Sequence, residues 1–395
     1  MKKILLTILD GLGDINVEEL GNKTPLEAAN TPNLDYMAEN GINGLMKPFK
    51  FFYEKYPTSE GAHIGLFGYK DYFLGRGPYE AAGINMPLYE GDIALRVNFS
   101  TIKDGIIIDR RAGRIKDTEE LIEALSNIVI KGIKFDIKRS NGHRAVLVLR
   151  GNNLSSNITS NDPGEEGKEP FKIESTLFEG DFTAEILNEY LKRANEILSN
   201  LEFNKKRDLP ANYLLLRGAG QFKRVYPFKD NYGLNTACVA GGGLYKGIAK
   251  MIGMDVINVP NTTADIDTDL WDKFEAVKKA LQEYDFVFLH IKGTDVCSHD
   301  GRYEDKKKFI EEIDRYFKDL IDIDNLLIIV TADHSTPCEL KEHSNDPVPI
   351  LIYGNGKDNV SHFSENEAKN GELGVFEGSE LMNKVLKLNF RTILQ

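Results

Sequence analysis

Asp333 and His334 follow Leu326-Leu327-Ile328-Ile329-Val330-Thr331-Ala332, a run of aliphatic and β-branched residues. Such a run reads as a strand buried on both faces, and ligands of open α/β sheets gather beyond the carboxyl ends of such strands. A carboxylate and a neutral imidazole are oxygen and nitrogen donors suited to a divalent ion such as Zn²⁺ or Mn²⁺. Taken alone, the pair reads as a capping acid beside a surface histidine; partners elsewhere change that reading. Asp10 ends a second apolar run, Ile4-Leu5-Leu6-Thr7-Ile8-Leu9, and is followed by Gly11 and Gly13, which permit close approach. Asp295 and His299 follow a third run, Phe286 to Ile291, and stand four apart, so on a helical turn both face the same way. His343 precedes the proline-limited turn Asp346-Pro347 and a further strand, Val348 to Tyr353, expected to be the last.

A hydroxyl and a set of cations complete the chemistry. Ser59, in Pro57-Thr58-Ser59-Glu60-Gly61-Ala62-His63, opens a helix, where backbone N–H groups favour an anion. A serine there either caps the helix or acts as an alkoxide and phosphoryl carrier. Arg110, Arg111 and Arg114 lie within five positions after the strand Ile106–Ile108, and Arg forks match phosphate and carboxylate. A solvated charged turn is the competing reading. Arg76 sits in the segment Gly75–Gly83, expected to be a glycine-punctuated loop, and His143-Arg144 precedes the strand Ala145–Arg150. Lys246 follows Gly241-Gly242-Gly243, a strand-turn-helix with no GxGxxG and no Gly-Lys-Ser/Thr, which excludes a nucleotide signature. His290, inside an apolar strand, reads as a core residue, and His362 receives no role.

These residues need a frame. Thr236–Ala249 reads as strand, glycine turn and helix, and beyond it strands at 256–259 and 285–291 alternate with a helix from about Asp269 to Glu283, which predicts βαβ units and a mainly parallel sheet. Thr24-Pro25 and Thr31-Pro32 each predict a Thr N-cap with Pro at the first helical position. The segment Tyr213–Gly220 reads as a strand ending in a glycine turn, and 151–170 as a long polar loop. Ile186, Leu187, Tyr190, Leu191, Ala194, Ile197 and Leu198 recur at helical spacing.

The chain has 395 residues, more than one core usually holds, so two domains are expected. Its net charge of −12, from 49 basic and 61 acidic residues, argues against nucleic acid or an anionic membrane as partner. No stretch approaches a membrane span and the amino-terminal run is too short for a signal h-region, which predicts a cytoplasmic protein. Cys238, Cys297 and Cys338 lack CxxC spacing and read as buried thiols in a reducing compartment.

Asp10, Ser59, Asp295, His299, Asp333, His334 and His343 mostly fall at strand ends, enough for two metals ~3.5–4 Å apart around a nucleophilic oxygen. In order and local sequence they resemble the alkaline phosphatase superfamily, and more closely the archaeal-type phosphoglycerate mutases that work without 2,3-bisphosphoglycerate. The resemblance runs along essentially the whole chain. Its most specific pieces are Leu9-Asp10-Gly11, Ser59-Glu60-Gly61-Ala62-His63, Gly75 to Ala81, Asp109 to Arg114, Asp295 to His299, Thr331 to His334 and His343 to Pro349.

The resemblance implies an α/β fold with a mainly parallel sheet, helices on both faces and an inserted smaller α/β domain. It implies one divalent ion on Asp295, His299 and His343 and another on Asp10, Asp333 and His334 with Ser59; Mn²⁺ is the expected metal, with Zn²⁺, Co²⁺ or Mg²⁺ as alternatives. Ser59 would take the phosphoryl group from 3-phosphoglycerate and return it to the 2-hydroxyl. Arg76, Arg110, Arg111, Arg114, Lys246 and His143 would bind this small phosphorylated substrate. Metal ligands occur before residue 64 and after 294, with the Arg-rich section between. The expected domains are therefore 1–69 with 230–395, metal-binding, and 70–229, substrate-binding, with hinge closure over the substrate. Self-association is left open. The family commonly has Gly or Asn before the serine and often Asp-Thr after it, where this chain has Thr58 and Glu60-Gly61. A related phosphatase or phosphotransferase, including a homoserine kinase, is the alternative enzyme reading; a metal-stabilised structural protein, in which Ser59 is dispensable, is the non-enzymatic one.

Overall fold

A computed structural model describes residues 2–391. The chain lays down β1 (Lys3–Leu9) and β2 (Gly41–Lys47), then β3 (Ile93–Lys103), β4 (Ile106–Asp109), β5 (Ile128–Ile130), β6 (Ile133–Arg139), β7 (Arg144–Arg150) and β8 (Tyr213–Gln221). It continues with β9 (Thr236–Val239), β10 (Asp255–Val256), β11 (Phe286–Ile291), β12 (Leu326–Thr331), β13 (Val348–Tyr353) and β14 (Gly374–Glu377). Two compact units result, one from Leu74 to Val225 and one from the residues up to Phe73 together with those from Tyr226 onward.

The discontinuous unit holds an eight-stranded sheet in the order β10-β9-β11-β1-β12-β13-β2-β14. The five strands β10, β9, β11, β1 and β12 run parallel, and β1, β11 and β12 are buried at every residue after Lys3. Continuous apolar runs are what a strand covered on both faces requires. Because Leu9 pairs with Ile291 and Ile8 with Thr331, these three strands end together. Whatever follows them, Asp10, Lys292 and Asp333, therefore emerges at one edge.

Several local expectations are corrected. β13 is antiparallel to both neighbours, and it is not the last strand, since β14 follows and pairs with β2. β10 spans only Asp255–Val256, rather than 256–259, at the sheet edge ahead of Pro260. Thr24 caps the helix Pro25–Ala28 as expected, but Thr31 gives no side-chain cap to Pro32–Glu39. The Asp314 carboxylate, from the helix Tyr303–Ile321, accepts from the backbone N–H groups of Asn33 and Leu34 instead, at 3.1 and 2.7 Å.

The unit from Leu74 to Val225 carries a six-stranded sheet, antiparallel at every pairing. The helix Asp181–Asn200 packs on it through Ile186, Leu187, Tyr190, Leu191, Ala194 and Leu198, with Tyr190 stacked on Phe135 at 4.5 Å. Gly75–Gly83 is not a loop: Arg76–Gly83 is a helix. Pro78 falls in its first turn, where no intrahelical N–H bond is lost. Gly77 is spent on packing, because a Cβ there would lie 2.0 Å from the Ala94 carbonyl oxygen. β8 runs through its glycines instead of ending at them; Gly218, at φ +65°, accompanies a register shift against β3.

Candidate active site

Asp10 leaves β1 fully buried. Its Oδ2 accepts from the Tyr245 hydroxyl and lies 3.0 Å from His290 Nε2, while Oδ1 faces Lys292 Nζ at 3.0 Å and His334 Nε2 at 3.6 Å. Gly11 turns the chain at φ +64°, and a Cβ there would stand 2.7 Å from Asp295 Oδ1 and Thr336 Oγ1. The expected close approach at the glycine is thus made by protein atoms. Behind the turn, buried Lys306 donates to the Gly11 carbonyl at 2.9 Å and to Asp14 Oδ2 at 2.8 Å. Asp14 in turn donates its backbone N–H to Glu365 Oε1 at 3.2 Å, and Thr24 donates to Glu365 Oε2 at 2.7 Å.

Asp295 and His299 lie on the helix Gly293–His299, and the predicted i,i+4 pairing brings His299 Nε2 to 3.5 Å from Asp295 Oδ1. His343 Nε2 is 3.7 Å from the same oxygen. Three imidazoles are held alike. His299 Nδ1 donates to the Lys341 carbonyl at 2.8 Å and His343 Nδ1 to the Pro57 carbonyl at 2.7 Å. Thr336 Oγ1 donates to Asp295 Oδ1 at 2.9 Å, so it accepts from His334 Nδ1 at 3.0 Å. In its neutral form a ring whose Nδ1–H is committed in this way presents Nε2 as the lone-pair donor, the arrangement found behind metal-binding histidines.

Two groups of donors result, each with its ligand atoms within 4.8 Å of one another: Asp10, Asp333 and His334, and Asp295, His334 and His343. His334 stands in both, and His299 lies beside the second rather than within it. The sequence separated His334 and His343; the structure stacks their rings at 3.6 Å. Asp333 accepts from the Gly11 N–H at 3.2 Å through Oδ1, but its buried Oδ2 has no hydrogen-bond partner among the described residues. Burial and the neighbouring Asp10 charge push the Asp333 carboxyl well above its ordinary range. Burial also pushes Asp10 and Asp295 upward, but the Lys292 ammonium, foremost among their neighbours, holds both below the ordinary range. Burial, then His343, lowers His334, so it is neutral. Three buried carboxylates, the neutral His334 Nε2, the imidazoles of His299 and His343 and an orphaned carboxylate oxygen fit divalent cations.

Ser59 is the first residue of the helix Ser59–Leu66, and Thr58, not Ser59, caps it by accepting from the Gly61 N–H. Thr58 is itself fixed by donating to Glu54 Oε1 at 3.0 Å. The Ser59 hydroxyl, free of capping duty, lies 3.3 Å from His334 Nε2, to which it donates. The cysteine thiols offer no rival nucleophile, since burial pushes Cys238 and Cys338 up to about 12 and Cys297 to about 11.

Four residues of this neighbourhood escaped sequence reading. Tyr245, His290 and Lys292 surround Asp10, and His63 Nδ1 lies 3.5 Å from Asp333 Oδ2. His290 is therefore a site residue and not plain core. Burial lowers it to about 4 and His63 to about 3, so both rings are neutral. The signal for Lys292 was its place one residue past β11, equivalent to Asp10 after β1.

The unit from Leu74 to Val225 gathers cations. Arg96 pairs in register with Arg217, and Arg144 pairs with Asn98, two residues along the same face. Burial, then Arg76 and Arg217, lowers Arg96 to about 9; burial, then Arg144 and Arg111, lowers His143 to about 4. Among the described residues, the buried Nε atoms of Arg96 and Arg217 have no hydrogen-bond partner. Of the predicted residues, Arg76, Arg111 and His143 join this cluster. Arg110 commits its fork to Asp162, with Nη2 to Oδ2 at 2.8 Å, and Arg114 is exposed. Lys246 is half-buried in the other unit, where its charge acts on Cys238 and Lys273. Arg96 and Arg217 were missed because register, not spacing, brings them together.

This fold and this donor set define a metal-dependent enzyme class, and the pattern described as "Metalloenzyme superfamily" matches residues 2–388. The 2,3-bisphosphoglycerate-independent phosphoglycerate mutase of Picrophilus torridus is 42% identical over 401 residues, covering 99% of both chains. That of Methanosphaera stadtmanae is 43% identical over 395 residues, 96% of both. A solved cofactor-independent phosphoglycerate mutase from Thermoplasma acidophilum superposes with a TM-score of 0.72 at 38% identity, over 98% of this chain and 100% of that one. The chain belongs to the family of 2,3-bisphosphoglycerate-independent phosphoglycerate mutases, as its motifs predict.

Proposed function

We propose that this enzyme interconverts 3-phosphoglycerate and 2-phosphoglycerate through a phosphoserine on Ser59. The observation that carries the reading is the Ser59 hydroxyl, relieved of capping by Thr58 and 3.3 Å from His334 Nε2 amid two groups of metal donors. Asp10, Asp333 and His334 would hold one divalent ion with Ser59 beside it, and Asp295, His343 and His299 the other. Mixed carboxylate and imidazole donors suit Mn²⁺. When bound, the ions supply positive charge that favours the serine alkoxide and offsets charge on the phosphoryl oxygens.

Ser59 Oγ attacks phosphorus as the bond to the substrate's 3-oxygen breaks, and the serine proton ends on that oxygen. The phosphoserine is then attacked by the 2-hydroxyl of the same glycerate, whose proton returns to Ser59. Arg96, Arg144 and Arg217, with Arg76, Arg111 and His143, would hold the substrate's carboxylate and phosphate. Arg110, Arg114 and Lys246 are assigned supporting cationic roles. Three buried free thiols suit a reducing compartment such as the cytoplasm.

The test supplies 3-phosphoglycerate and Mn²⁺ and follows 2-phosphoglycerate by coupled detection. The wild type should isomerise and Ser59→Ala should lose on the order of 10⁴-fold or more, as nucleophile removal does elsewhere. No isomerisation by the wild type, or full activity in the variant, would sink the proposal. Free phosphate released faster than 2-phosphoglycerate would favour a phosphatase.

A further inference from the structure

Lys292 has no task in the chemistry above, yet it touches both donor groups. Its Nζ lies 2.6 Å from Asp295 Oδ2 and 3.0 Å from Asp10 Oδ1. Asp10 belongs to one group and Asp295 to the other. The two carboxylates use it differently. Asp295 turns Oδ1 to His299 and His343 and gives Lys292 the outer oxygen, whereas Asp10 has its outer Oδ2 filled by Tyr245 and His290. At Asp10, Lys292 therefore contacts the oxygen that faces His334.

We infer that Lys292 is a positioning residue, a tethered cation that holds the two donor groups together without metal and competes with the ions when they bind. The inference rests on the metal-site reading above. Buried carboxylates without a counter-charge repel one another and destabilise the fold. An ammonium on a flexible four-carbon stem neutralises part of that charge and can withdraw. Lys292 has a route for withdrawal, since its side chain is 19% exposed, whereas Asp10 is fully buried. Once divalent ions arrive, an ammonium within contact distance of Asp10 Oδ1 repels them, so part of the metal affinity is spent on displacing it.

The full chain as wild type, Lys292→Met and Lys292→Arg is stripped with chelator, and Tm is measured before and after Mn²⁺ while calorimetry gives the Mn²⁺ Kd. The methionine variant should melt lower than wild type when stripped, gain more Tm from Mn²⁺, and bind Mn²⁺ about tenfold more tightly. The arginine variant, which keeps the charge, should stay closer to wild type than to the methionine variant. A purely structural lysine would lower both melting points equally. An Mn²⁺-induced rise in the methionine variant equal to or smaller than that of wild type overturns the inference, as does an arginine variant matching the methionine one. Should the stripped methionine variant be unfolded, refolding on Mn²⁺ supports the inference and failure to refold overturns it. A wild type that binds no Mn²⁺ overturns the metal-site reading itself, and this inference with it.

Discussion

In the parallel-sheet unit, buried Asp10, Asp295 and Asp333 are gathered among neutral imidazoles with Lys292 as the ammonium bridging two of them. In the antiparallel unit, Arg96, Arg144 and Arg217 crowd around a neutral His143, with Asp162 and Glu80 as acidic neighbours. The first site carries too little positive charge and the second too little negative charge. They are also assembled differently. The acids converge because neighbouring parallel strands end in step, whereas the arginines converge because antiparallel strands lie in a given register. Like charges directly opposite each other destabilise a sheet, so a half-buried Arg96–Arg217 pair points to an anion, as three buried carboxylates point to cations.

The largest effect expected is at Asp333. Asp333→Ala should reduce isomerase activity by at least about a thousandfold, while Tm in chelator holds or rises, because an uncompensated buried carboxyl has been removed. Coupled assay and calorimetry read the two quantities, and activity within about tenfold of wild type would contradict the metal assignment. If the cationic cluster serves the substrate, Arg96→Met should act more mildly and elsewhere in the kinetics. KM for 3-phosphoglycerate should rise by about 10- to 100-fold, the worth of a hydrogen bond to a charged group, with Tm unchanged or higher as repulsion is relieved. An unchanged KM would remove Arg96 from substrate binding.

The remaining effect falls on stability and leaves activity aside, and it tests the support behind Asp10. Burial raises the Glu365 carboxyl from its ordinary 4.5 to about 7. Between those values the folded chain binds the proton more tightly than the unfolded chain. The contribution of Glu365 is thus fully present below pH 4.5 and is lost as pH rises through 7, a change of about 3 kcal/mol. Glu365→Gln should flatten the Tm profile across that window relative to wild type. Parallel profiles for the two proteins would show that Glu365 is not the titrating group.

The sequence showed the acid site well and the cationic site poorly, for a physical reason. An apolar run that stops at Asp10 or at Asp333 announces both a buried strand and the residue at its end. Asp295 and His299 announce themselves by helical spacing. No such local pattern marks Arg96 and Arg217, separated by 121 positions (217 − 96) and opposed only through register. His290 was hidden for the converse reason, since an apolar run also describes a strand that carries one functional side chain. Gly75–Gly83 misled because glycine serves close packing as readily as it serves turns: Gly77 seats its helix against the Ala94 carbonyl. The antiparallel course of β13 was equally out of reach, because a short buried strand reads the same in either direction.

The cap at Thr58 ties the residue before Ser59 to the helix that Ser59 opens. Asn and Gly, like the Thr present here, are residues that tolerate or supply an N-cap. What position 58 requires is then a duty toward the helix and not one particular side chain. Exchange among these three should leave the serine's exposure to its neighbours intact, whereas a bulky aliphatic residue would return the helix's unpaired N–H groups to competition for the Ser59 oxygen.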